Sequence, residues 1–225
     1  MEAGIESKNL PAGIVATMSA NATVFAASAC VMLVELVAGR IVSRYLGMSL
    51  YTWTSIIGVV MAGISLGNLH GGRMADRWAA RPLLAALFLL SAAGCVAILP
   101  LNSLFGSLEL LRALPWTARI FLHVTLVFLG PAYLLGMVNP VVAKLALDMQ
   151  EKAGRAVGGV FAWGAAGSIA GTFATGFWLV PAFPASRILL VAALGLAVLG
   201  VVFTIAALLW REASGPVPSV LPATT

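Results

Sequence analysis

Between Tyr51 and His70 the chain carries no charged residue, and then Arg73, Asp76, Arg77 and Arg81 follow within one short segment. A run of that length meets the roughly 20 apolar residues a helix needs to cross the hydrocarbon core of a bilayer. Five more stretches have the same character, at 21–46, 82–101, 119–146, 156–180 and 187–210. The chain is 61% hydrophobic and 9% charged, where a soluble domain carries about 25% charged residues. A soluble fold of this size cannot hide so much apolar surface, so the bilayer is the solvent for most of it. Backbone in lipid satisfies its hydrogen bonds only in helices or closed barrels. The apolar runs are long and do not alternate, which selects helices over barrel strands. The expected fold is an all-α integral membrane bundle of six transmembrane helices at 21–211, with short polar tails at 1–20 and 212–225.

The net charge of +5 does not indicate a nucleic-acid partner, because the basic residues sit mostly at the ends of apolar spans and form no dense basic run. They are topology signals. If the Arg73–Arg81 segment is cytoplasmic, that side also holds Lys8, Lys144, Lys152, Arg155 and Arg211, while the other holds Arg40, Arg44, Arg112, Arg119 and Arg187. The bias has the positive-inside sign and places both termini in the cytoplasm. Trp53, Trp78, Trp116 and Trp210 fall at span ends, as interface anchors do. Cys30 and Cys95 lie inside spans and read as small hydrophobes, and no metal or cofactor is expected.

Small residues recur every fourth position at Gly63, Gly67 and Gly71, and again at Gly167 and Gly171. That spacing lets helix backbones approach closely in lipid, either within the bundle or against another subunit. Asn139-Pro140 and Gly130-Pro131 interrupt the fourth span. A helix break there lines a cavity or is buried in protein. Glu35 is the one carboxylate in the middle of a span, where a charge costs about 3 kcal/mol on insertion scales. Two readings fit it: a structural ion pair or protonated acid, with Arg40 five residues on as one partner, or a site for a cation or proton. His70 reads as a hydrogen-bonding interface residue. His123, alone in the fourth span, is of a type that titrates near neutral pH and has no acid near it in sequence.

These residues also carry a resemblance. The run from Gly72 through Arg73, Asp76 and Arg77 to Arg81 resembles the signature loop of the major facilitator superfamily, although Ala79 replaces a usual glycine and Ala80 a usual basic residue. ELVAGR at 35–40, YLGMSLYTWTSIIGVV at 45–60, GISLG at 63–67, GGVFAWGAAG at 158–167 and GFWLVP at 176–181 are similar to the membrane part of bacterial fused membrane/spermidine-synthase-like proteins. Trp163 stands where that family commonly has asparagine. The soluble synthase domain has no counterpart in this sequence, so its enzymatic activity is not carried over.

What the resemblance implies is half of a facilitator bundle in the bacterial inner membrane, moving a polyamine or related cationic small molecule. Glu35 and Arg40 would form the substrate or proton site, and the segment holding Gly72, Arg73, Asp76, Arg77 and Arg81 a gating turn. Such a half implies a homodimer or a second subunit, with Asp76 of one chain against residues 155–159 of the other. The alternative is a non-transporting anchor for a separately encoded soluble synthase. An intramembrane enzyme is disfavoured, since no His-Glu-x-x-His or comparable pair occurs.

Overall fold

The computed structural model describes residues 10–149 and 152–213. They form six long helices: α1 (Leu10–Leu46), α2 (Leu50–Arg77), α3 (Ala80–Ser107), α4 (Trp116–Met149), α5 (Ala153–Phe173) and α6 (Ala185–Ala213), with a single helical turn at Glu109–Arg112 between α3 and α4. All six are long and apolar enough to cross a membrane. The chain is a multi-pass helical membrane protein. α1 begins inside the segment expected to be a tail, whereas residues 1–9 and 214–225 lie outside the described residues.

Where the helices stop follows from local chemistry. Ser49 caps α2 by accepting a hydrogen bond from the Thr52 amide at 3.1 Å, and Gly47, at φ 71°, makes the bend after α1 that a side chain would resist. α2 ends at Trp78, which is extended, and α3 starts two residues later. The gating turn read from the sequence is therefore mostly helix. Gly72, Arg73, Asp76 and Arg77 occupy the last turns of α2, and Arg81 lies in the first turn of α3.

The expected break in the fourth span is also absent. α4 runs unbroken through Pro131 and Pro140. A proline costs a helix a hydrogen bond and crowds the carbonyl four residues back, but here α4 is clamped along its length by α2. A Cβ on Gly63 would lie 2.7 Å from Ala132 Cβ, and one on Gly71 would lie 2.6 Å from the Met137 carbonyl and 3.0 Å from the Pro140 ring. A Cβ on Gly67 would strike the Tyr133 carbonyl. Pro140 thus packs against α2 at Gly71. The same device joins α5 to α1. A Cβ on Gly171 would meet the Ala29 carbonyl at 2.6 Å, and one on Gly167 would strike that of Phe25. The glycine stripes serve packing inside the bundle.

The most extensive contacts pair α2 with α4, α3 with α6, and α1 with α5. This pattern survives exchange of the first three helices with the last three: α1–α5 becomes α4–α2, and α3–α6 maps on itself. The glycine-bearing helices α2 and α5 are equivalents under the exchange. Because α1 and α4 cross in opposite directions, the exchange is that of an inverted repeat; α2–α4, α1–α5 and α3–α6 all join the two halves, and α1 against α4 is a further contact along that seam. α4 is the most enclosed span, with 56% of its apolar window buried against 28% for α5.

Replacing Gly67 by leucine should destabilise the protein by about 1–3 kcal/mol or more through overpacking. Gly58→Ala, whose Cβ meets nothing within 4 Å, should be neutral or stabilise by up to about 1 kcal/mol. Thermal unfolding in detergent micelles distinguishes the two.

Candidate functional site

Glu35 sits near the middle of α1, on the seam. Its side chain enters a crevice formed with Val31 and Val34 of α1, Val60 of α2, and Phe128, Pro131, Ala132 and Leu135 of α4. Every other lining residue is apolar. Its Oε2 is buried and has no hydrogen-bond partner. A buried polar atom left unpaired is costly, and in a membrane span such a group marks a pathway or a relay more often than a packing role. The crevice has a volume of about 10 Å³, which is at the lower limit for one water molecule, roughly 10–15 Å³. In this conformation it has room for one water at most and none for an organic cation.

Arg40 does not answer Glu35. Its Nη1 donates to the carbonyls of Val180 at 2.8 Å and Phe183 at 3.4 Å. These carbonyls lie where the fifth span ends, after α5 loosens into a π-helical stretch at Ala174–Leu179 and a last turn at Val180–Ala182. A helix C-terminus exposes carbonyls without partners and carries partial negative charge. Arg40 therefore ties α1 to the end of the fifth span, and the pair expected from the sequence becomes two separate sites.

The residues expected to form a gating turn lie at the opposite end from Arg40. Arg73, Asp76 and Arg77 are exposed, Gly72 and Arg81 half-buried. Asp76 makes no salt bridge among the described residues. Lys144 and Asp148 form an ion pair on that end, at 3.2 Å along α4. Arg155 is exposed but Ala156 is buried, so the start of α5 offers a partner copy Arg155 and Gly158 rather than Ala156. Asn139 is half-buried beside Pro140 in the unbroken helix.

One polar cluster was not legible as a site. Asn102, one residue past the 82–101 span expected from the sequence, lies inside α3 and is buried. Its Nδ2 donates to the Ile41 carbonyl of α1 at 3.1 Å, and its Oδ1 is 2.9 Å from His123 Nε2 of α4. A carbonyl can only accept, so the amide nitrogen must face Ile41 and the amide oxygen must face His123. The imidazole therefore carries a proton on Nε2 and donates it. Tyr45 closes over this network. Its ring lies 6.3 Å from that of His123, against Gly106, and its hydroxyl reaches Ser103 Oγ at 3.4 Å. Three helices are thus fastened at the Arg40 end by one amide. The spacing signal was present, since Asn102 and His123 both fall at span ends, but nothing in a linear sequence shows that they meet. His70 engages the Leu66 carbonyl at 3.0 Å through Nδ1 and meets the Tyr133 ring edge-on, in keeping with a hydrogen-bonding role.

No family model, curated protein or solved structure matches the chain.

Asn102→Ala leaves the His123 donor unpaired and should cost about 1–3 kcal/mol. In a double-mutant cycle with His123→Ala, the two losses should fall short of additivity by about 0.5–3 kcal/mol. Chemical unfolding in micelles measures this, and additive losses would mean that the two side chains act independently.

Proposed function

We propose that this protein is a transport module for a cationic small molecule of the polyamine type, working as a dimer or with a second subunit, with Glu35 as its intramembrane anion. The observation that carries this reading is the place of Glu35. Its carboxylate, with one oxygen unpaired, stands on the seam between two inverted halves, near mid-span. Transporters built from inverted repeats put their substrate and ion sites at that seam and depth. A carboxylate held among apolar side chains attracts a cation or takes a proton. The crevice is too small for a polyamine, so binding one requires α1 and α4 to part or a second copy to complete the cavity.

The outer faces of α2 and α5 support the second copy. Gly58, Ala62 and Ser65 on α2 are exposed, and so are Gly158, Ala162 and Ala165 at the same spacing on α5. Small residues at such intervals favour helix association in lipid. In a two-fold dimer, α2 of one protomer would lie along α5 of its partner, bringing Asp76 to the start of α5. The helix dipole and Arg155 favour a carboxylate there.

A second reading, a bacterial inner-membrane anchor for a soluble synthase-like enzyme, draws on the exposed Arg73, Arg77, Lys152 and Arg155 at one end of the bundle. Polyamine flux into proteoliposomes holding only this protein separates the readings. Transport predicts flux that Glu35→Gln reduces by at least about tenfold, equivalent to 1.4 kcal/mol. An anchor predicts none, together with capture of a synthase that is lost on neutralising the arginines. For the dimer, co-expressed Asp76→Cys and Gly158→Cys chains with different tags should form a mixed disulfide. Failure to crosslink, with both chains present in the membrane, contradicts this arrangement.

A further inference from the structure

At the Arg40 end of the bundle, where the fifth span meets α6, the surface holds an apolar groove of about 330 Å³ lined by Leu179, Phe183, Arg187, Ile188, Leu190 and Val191. The walls are almost wholly apolar, Arg187 contributing its hydrocarbon stem, and its guanidinium, on an exposed residue, lies outside the groove surface. Phe183 connects the groove to a second cation: its side chain lines the wall while its carbonyl accepts from Arg40 Nη1 at 3.4 Å. The Arg40 guanidinium has five donors in all, and its Nη2 and Nε are not used in the bonds to Val180 and Phe183. The whole end is electropositive. Among the described residues Arg40, Arg44, Arg119 and Arg187 fall there, with Glu109 as the acid.

We propose that this groove is a binding site for one anionic phospholipid, with an acyl chain along Leu179, Phe183, Leu190 and Val191 and its phosphate at Arg187 and Arg40. The ligand must be apolar for most of its length and anionic at one end, and its charged end must lie where a membrane-spanning helix begins. An anionic lipid of the surrounding leaflet meets all three conditions. A soluble anion has no use for the apolar wall, and a zwitterionic lipid offsets its phosphate with a cation of its own, which the arginines repel. The proposal is independent of the transport reading, because the groove lies away from the α1–α4 seam. Arg40 then acts twice, holding the end of the fifth span and, through its remaining donors, sensing the headgroup.

The test uses the purified full chain in detergent. Phosphatidylglycerol and phosphatidylcholine carrying a photoreactive group at the acyl end are offered in turn, and crosslinked peptides are mapped by mass spectrometry. The proposal predicts labelling within residues 179–191, stronger for phosphatidylglycerol. Arg187→Gln should reduce the phosphatidylglycerol signal about fivefold, the contribution expected of one basic residue near an anionic headgroup, and reduce phosphatidylcholine, which carries no net charge, by less. Val191→Trp, which fills the groove from an exposed position, should reduce both lipids. Equal labelling by both lipids in the unaltered protein, labelling outside this segment, or indifference to both substitutions in protein that remains monodisperse would overturn the proposal.

Discussion

The rest of the structure depends on the approach of backbone to backbone at the glycines of α2 and α5. Lipid supplies no hydrophobic force between helices, so helices in a bilayer are held by contact, and contact requires small residues. Gly63, Gly67 and Gly71 let α2 lie on α4, and Gly167 and Gly171 let α5 lie on α1. These two pairings are equivalent in the inverted halves and set where the halves join. They bring α1 against α4 and leave Glu35 on that seam, with apolar side chains around it and no partner for Oε2. The first pairing also lies along α4, which stays helical through Pro131 and Pro140, residues that in isolation would bend or break it.

The polar groups divide by depth. At the Arg40 end they fasten helices to one another: Asn102 between Ile41 and His123, and Arg40 on the last carbonyls of the fifth span. At the opposite end Arg73, Asp76 and Arg77 stay exposed. Mid-bundle, Glu35 stands apart from both groups. A protein that needed its polar residues only for packing would place them at the tight end. A carboxylate with an unpaired oxygen at the seam is hard to account for as packing and easy to account for as a place where a cation or a proton resides.

Much of the fold was readable in advance because a bilayer imposes long apolar runs with charges at their ends. Those runs marked six spans and their approximate limits. Their pairing was not readable, since a glycine every fourth residue says that a helix packs closely but not with which neighbour. The prolines misled for a related reason. Their local preference against helix is real, yet α2 overrides it along α4. Around the site, the isolation of Glu35 followed from counting carboxylates. The separation of Arg40 from it did not, because it depends on where the fifth span ends in space. Asn102 was missed since a single polar residue near a span end looks like the start of a loop.

If Glu35 is the group on which a cation or proton acts, its carboxyl should be chemically reachable and protected by substrate. A hydrophobic carbodiimide, which reacts with protonated carboxyl groups in apolar surroundings, tests this directly when the product is mapped by mass spectrometry with and without spermidine. The expected result is modification at Glu35 that is slowed by spermidine and absent in Glu35→Gln. Modification that ignores spermidine would contradict a polyamine at this carboxylate, and an unmodified Glu35 in folded protein would contradict a cation or proton site there altogether.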